Sequence, residues 1–299
     1  MSGMNKLDRE TRARILHLLC EGQSIRAITR LTGASKNTVI KLLVDAGQAA
    51  VWYQDRTLRN LPCTDIQTDE IWGFVGSKAA NTPQDKQHVQ GDVWVWIATC
   101  RNTKLVPCWY VGHRNGHAAR AFMQNLASRV SEKVQLSSDA FSAYAQAVKG
   151  AFPEADYGQV VKVFGATPDS FKGRYSPPAC VGARKVAVQG NPDPASISTS
   201  HSERNNLNVR MHNRRMTRLT NAFSKKVQNH AHSMALHFLY YNFVRIHQTL
   251  KVTPAMAAGV TRRLWEMKDV VEMLEAWEAT RSEAVTLRDG PSVPASARV

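Results

Sequence analysis

Between His201 and Arg218 the chain reads H-S-E-R-N-N-L-N-V-R-M-H-N-R-R-M-T-R, one carboxylate inside a run of arginines. At about 100° per residue, helical steps of seven and eleven return to within roughly 20° of the starting direction. Glu203, Arg210 and Arg214 are therefore expected on one face of a helix. A solvated helix kept soluble by its arginines normally intersperses acids at i+4, and none follows Glu203. A carboxylate beside guanidiniums suits a place where a metal ion and a phosphodiester meet. The acid holds the cation, and Arg204, Arg210 and Arg214 grip phosphate oxygens.

The elements that must position this site are read from the rest of the chain. Its 299 residues, 43% of them hydrophobic, suffice for one catalytic domain with a small companion. A formal charge of +15 points to a polyanionic partner, most simply nucleic acid. Met1 to Asn60 holds ten Lys and Arg against five acids, and His201 to Lys251 holds nine against one. From Arg262 onward six bases face seven acids, so the tail is expected to pack or pair rather than bind anions. The first residues are charged where a signal peptide needs an apolar run, and no stretch is long enough to span a bilayer, so a cytoplasmic, membrane-free protein is expected. Five cysteines without a C-x-x-C pair argue against a disulfide framework and against a zinc ribbon.

Residues 1–48 read as three short helices. Ile15, Leu18 and Leu19 mark the first and Ile25, Ile28 and Leu31 the second; a turn at Gly33 and a cap at Ser35 open the third, which ends at Gly47. This is helix-turn-helix spacing, with Lys36, Asn37, Thr38 and Lys41 turned towards a DNA major groove. Residues 49–62 read as a linker. Five strands follow within residues 63–245: Ile66 to Val75, Asp92 to Thr99, Lys104 to Val111, Val134 to Ser138 and Gly158 to Phe164. Both alternating sets of the second strand are apolar, which predicts an inner strand covered on both faces. Helices are expected over Asn115 to Val130, before Val148, and around Glu203.

This order sets Asp69 in the first strand, Asp139 at the end of the fourth, and Glu203 on a helix after the fifth. Carboxylates so placed converge at one edge of a mixed five-stranded sheet in a ribonuclease H-like α/β fold. T-D-E-I-W-G-F-V, S-D-A-F-S-A-Y and S-E-R-N-N-L-N-V-R followed by N-A-F-S-K-K together resemble the catalytic blocks of DDE transposases of the bacterial insertion-sequence-one family, over roughly residues 61–245. Tyr241 to Leu250, then Thr253-Pro254-Ala255, is similar to the tail of many bacterial transposases.

The resemblance implies that Asp69, Asp139 and Glu203 bind Mg²⁺, with Mn²⁺ as substitute, for two-metal phosphoryl transfer on DNA. Element ends and target DNA become the expected partners, with a homo-oligomer assembled on DNA. A nuclease without strand transfer and a non-catalytic DNA-binding regulator remain open alternatives. The 64 residues from Asp139 to Glu203 exceed the family's compact spacing, so 166–201, rich in Pro, Gly and Ser, is expected as an irregular insertion whose Lys172, Arg174, Arg184 and Lys185 reach phosphates.

Three further features carry readings of their own. Glu70 is expected on the opposite strand face from Asp69, and Asp65 on the same face. His230, His232 and His237 are read as DNA contacts or plain surface rather than a metal site, for want of an accompanying carboxylate or cysteine. The tail, 246–299, holds an acidic amphipathic helix with Leu264, Trp265, Val271, Leu274 and Trp277, either self-packing or an oligomer contact.

Overall fold

The computed structural model describes residues 6–131, 133–165 and 180–288. Asp8, Ser24 and Ser35 each accept a hydrogen bond from the backbone N–H three residues on, and so start α1 (Arg9–Cys20), α2 (Ile25–Thr32) and α3 (Lys36–Thr57). Gly33 closes α2 at φ +72°, the left-handed conformation that lets the chain reverse into α3. The sequence places α3's end at Gly47 and a linker at 49–62, but the helix runs ten residues further. Gly47 serves another purpose. A Cβ there would lie 2.4 Å from the Cβ of His232, so the missing side chain lets a later helix, α7 (Val227–Leu239), lie directly against α3. A mid-helix glycine costs about 1 kcal/mol relative to alanine, which the close packing offsets.

The sheet contains β1 (Asp65–Val75), β2 (Gly91–Cys100), β3 (Trp109–Gly112), β4 (Gln135–Asp139), β5 (Asp156–Phe164) and β6 (Cys180–Gln189), in the spatial order β3-β2-β1-β4-β5-β6. It is mixed. β1 pairs antiparallel with β2 and parallel with β4, and β4 runs parallel to β5. The expected mixed, helix-flanked sheet is present with six strands instead of five. The sixth comes out of the stretch read as irregular, where β-branched Val186 and Val188 favour an extended chain and β6 pairs antiparallel with β5. Lys172 and Arg174 lie outside the described residues, while Arg184 and Lys185 pair with Val161 and Val160 across this ribbon. β3 is shorter than its sequence pattern, because Leu105, Val106 and Cys108 turn into the core before regular pairing with β2 begins at Trp109.

Both faces of β2 are covered, as its doubly apolar pattern requires. On one face Trp96 packs against Phe122, Phe141 and Tyr144 from α4 (Gly116–Ala127) and the start of α5 (Ser142–Ala151). On the other, Val95 and Ile97 meet Val209 of α6 (Ser200–His212) and Met234 and Phe238 of α7. A short α8 (Pro254–Ala257) leads to α9 (Met267–Arg288), which packs on α1 and α3. The acidic helix is thus self-packing. Arg12 of α1, nearly buried, forms ion pairs with Glu275 at 2.8 Å and Glu278 at 3.3 Å. The N-terminal helices share one apolar core with the rest of the chain, with Tyr53 of α3 against Phe243 and Trp265.

Candidate active site

β1 and β4 are paired over three residues only: Asp65 with Gln135, Ile66 with Leu136, and Gln67 with Ser137. Continued by two residues, this parallel register brings Asp69 level with Asp139, each on the stretch where the strands have stopped pairing. Successive side chains of a strand point to opposite faces, and Asp69 and Glu70 obey this. The Asp69 carboxylate accepts from Asn206 Nδ2 of α6 at 2.8 Å, on one face. Glu70 accepts from the Tyr144 hydroxyl of α5 at 2.8 Å, on the other. Because β4 has separated from β1, carboxylates from both faces meet in the gap. Oxygens of Asp69, Glu70 and Asp139 lie within 4.8 Å of one another.

Crowding three acids has an electrostatic cost. Burial, then the neighbouring charges of Glu70, Asp139 and Glu203, push the Asp69 carboxyl up to about 7. Burial and Asp139 also raise Glu70, opposed by its bonds to Tyr144 and Arg114. Arg114 forms an ion pair with Glu70 and lies 3.5 Å from Asp139, with its guanidinium 3.9 Å from the Phe141 ring centroid. One cation is thus shared by two acids, and Asp69 is left in excess. An all-oxygen donor set with surplus negative charge is the chemistry that hard divalent cations such as Mg²⁺ select. Asp69, Glu70 and Asp139 each offer one carboxylate oxygen at a spacing that fits such an ion.

Glu203 lines the same open pocket, of about 560 Å³, as Asp69 and Asp139, but stands outside the tight cluster. Its carboxylate accepts from Lys162 Nζ at 2.7 Å and from the Thr199 hydroxyl at 2.9 Å. Three groups at the site, Asn206, Arg114 and Lys162, are not singled out by the sequence. Asn206 was the most accessible, lying three residues after Glu203 and so on the same helix face. Glu70, expected from strand parity to lie away from Asp69, instead contributes an oxygen to the carboxylate cluster while pairing with Arg114. Arg114 and Lys162 carry no periodic or motif signal, because the loop after β3 and the exposed half of β5 bring them in by tertiary contact alone.

Of the residues expected to contact DNA, Lys36, Asn37 and Lys41 are exposed on α3, with Lys41 paired to Asp45, and Thr38 is half-buried. Arg204 is exposed. Arg210 is not free: its guanidinium donates to the carbonyls of Trp72 at 2.7 Å and Met216 at 2.8 Å, and burial lowers it to about 10. Arg214 leaves the expected shared face, because α6 ends at His212 and Asn213 starts a separate turn over Arg214–Met216. His230 and His237 are buried rather than surface residues, and burial pushes them down to about 4 and about 3. Asp65 is engaged by Arg101 at 3.0 Å, away from the cluster.

No protein-family model matches the chain, and no curated protein matches it. Among solved structures it is similar to the Mos1 strand transfer complex at 13% identity and a TM-score of 0.22, over 52% of this chain and 59% of that one. The chain therefore matches less than two thirds of the Mos1 protein's length. It is also similar to the Mos1 transposase paired-end complex with the left transposon end, at 11% identity and a TM-score of 0.21, over 51% of this chain and 60% of that one. A third likeness is to the piggyBac transposase synaptic complex with hairpin DNA, at 13% identity and a TM-score of 0.41, over 99% of this chain and 80% of that one. Superpositions this loose do not define a common architecture, and the chemistry of the pocket stands on its own geometry.

Proposed function

We propose that the chain is a DNA transposase that cuts and joins DNA at the pocket of Asp69, Asp139 and Glu203, with Lys36, Asn37, Thr38 and Lys41 binding element ends. The observation that carries this reading is the β1–β4 register, which brings two strand-borne carboxylates side by side where the sheet splays open, under a helix bearing a third. When bound, Mg²⁺, replaceable by Mn²⁺, would supply Lewis acidity to the attacking and leaving oxygens of a phosphodiester. Asn206 orients Asp69 through its amide, and the Phe141 N–H fixes Asp139 by donating at 3.0 Å. Arg114, shared by Glu70 and Asp139, offsets part of the cluster's charge and leaves Asp69 the acid with the greatest need of a cation. Lys162 and Thr199 hold Glu203 at the wall of the pocket it shares with Asp69 and Asp139.

The test begins with the DNA on either side of the coding frame, read for terminal inverted repeats. Labelled duplexes of those ends are then incubated with the chain and Mg²⁺. Nicking at the ends followed by joining to target DNA is expected. Hydrolysis without joining would favour the nuclease, and binding without nicking the regulator; either outcome overturns the transposase reading.

A further inference from the structure

On the side of α6 away from the carboxylates, a second pocket of about 280 Å³ opens against the segment from Tyr241 to Thr249. Lys104, His201, Arg204, Arg245 and His247 line it, and no carboxylate does. Among the described residues none of the five is ion-paired to an acid. Lys104 Nζ instead lies 3.3 Å from His201 Nε2. Burial, then the repulsion of Lys104, Arg245 and Arg204, hold His247 below its ordinary value. The excess of positive charge here mirrors the excess of negative charge around Asp69.

The backbone is shaped to keep these groups together. Lys104 adopts φ +60°, a left-handed conformation that costs a non-glycine residue roughly 1–2 kcal/mol. The Tyr241 hydroxyl donates to its carbonyl at 3.0 Å. Tyr240–Val244 form a π-helical turn, a feature concentrated at functional sites. The buried Asn242 side chain clamps this turn to the core, accepting from the Val106 N–H at 3.0 Å and donating to its carbonyl at 2.9 Å. Arg245 and His247 follow directly from the clamp. A solvated basic face needs neither a strained lysine nor a clamped turn.

We propose that this pocket is a phosphate subsite, which holds a backbone phosphate of a DNA strand passing over α6 from the carboxylate pocket. It rests on the reading of the chain as a DNA-acting enzyme and adds a site to it. What favours a phosphate here is the lining: five basic side chains and no carboxylate. Lys104 supplies a point charge, Arg204 and Arg245 supply planar donors, and the His247 imidazole adds a further donor beside the phosphate.

The experiment uses the full chain without divalent metal, so that binding is read apart from cleavage. Fluorescence anisotropy of a labelled DNA duplex is followed against sodium chloride for the parent, Arg204→Gln and His247→Gln; exposed Arg204 can be replaced without disturbing the core. Arg204→Gln is expected to weaken binding about 10-fold or more and to reduce the salt slope by about 0.9 for the lost contact. The imidazole resonances of His201 and His247 should move on adding DNA. Inorganic phosphate, against chloride at matched ionic strength, should move the same resonances at higher concentration and compete with DNA. Unchanged slopes in both variants would overturn the proposal. So would resonances that respond to inorganic phosphate but not to DNA, which would mark a free-anion site. Absence of nicking in a chain that passes these tests would remove the transposase reading and leave the subsite standing.

Discussion

Helix α6 divides two pockets of opposite chemistry. Glu203 and Asn206 face the carboxylates of β1 and β4, whereas His201, Arg204 and Asn208 face the basic pocket. Ser202, Asn205 and Val209, between these sets, are buried against the sheet. The division follows from helical periodicity, since residues 203 and 206 lie on one flank and 201, 204 and 208 about half a turn away. On the acidic side the sheet itself does the positioning: the carboxylates are rigid, crowded and in electrostatic excess. On the basic side a clamped loop presents long side chains, and the charge is spread. A cation site needs fixed oxygens at close range, whereas a phosphate is gripped by mobile donors that close around it.

The largest effect that would break this comparison is at Asp69. Asp69→Asn removes the charge that the proposed ion needs and keeps the shape. Mg²⁺-dependent nicking is expected to fall on the order of 10³-fold, while metal-free DNA affinity stays within about 2-fold. Nicking at the parental rate would show that the acidic side does no chemistry. Next comes Asn206→Ala, which leaves Asp69 in place but unoriented. Loss of such an orienting partner typically costs about 10- to 100-fold in metal affinity or activity. Titration calorimetry with Mg²⁺ and nicking assays should fall together, and a loss of nicking with unchanged metal affinity would refute the orienting role.

Arg210 sharpens the contrast from the other direction. It shares α6 with Arg204 and was expected to share its role, yet its guanidinium is already bound to two backbone carbonyls. Arg210→Ala should lower unfolding free energy by about 1–3 kcal/mol, as loss of charged hydrogen bonds does. The salt slope of DNA binding should not change, in contrast to Arg204→Gln. A changed slope with unchanged urea midpoint would return Arg210 to the anion-binding set.

What the sequence made legible here was whatever local pattern dictates. Five strands, the cap at Ser35 and the inner position of β2 all follow from periodicity and capping chemistry. Element order places Asp69 in the first strand and Asp139 at the end of the fourth, whereas the β1–β4 pairing sets them level. What stayed hidden depends on tertiary contact. Gly47 reads locally as a helix stop and is in fact the close approach to His232. The buried histidines of α7 read as polar surface, because nothing in V-Q-N-H-A-H-S-M-A-L-H says that Ser224 and Arg215 will lie beside His230, or His212 and Arg245 beside His237. Lys104, in a turn, and Arg245 and His247, in a loop, share no spacing with α6, so the basic pocket has no sequence signature.

The smallest expected effect concerns pH and pits the acidic pocket against the α7 core. His230 and His237 are held down to about 4 and about 3 by burial, while in the unfolded chain they titrate near 6.5. As pH falls below 6.5 the unfolded chain takes up these protons first. Each histidine therefore removes up to about 1.4 kcal/mol of stability per pH unit, until its folded value is reached. Asp69 works in the opposite sense. Its folded carboxyl binds a proton at about 7 and its unfolded one at 3.8, so between those values acid stabilises the metal-free chain by up to a similar amount per unit. Urea unfolding in EDTA at pH 8, 7, 6 and 5 should show Asp69→Asn to be the more stable form at pH 8, where the parent carries a buried, crowded charge. The order should narrow by about 1.4 kcal/mol per unit below pH 7. Mg²⁺ should tighten the contrast, because a proton and a cation compete for Asp69, and apparent metal affinity should drop about tenfold per unit below pH 7. Parallel stability curves for parent and variant would mean that Asp69 is not in electrostatic excess, and the acidic pocket would lose the property that sets it apart from its basic neighbour.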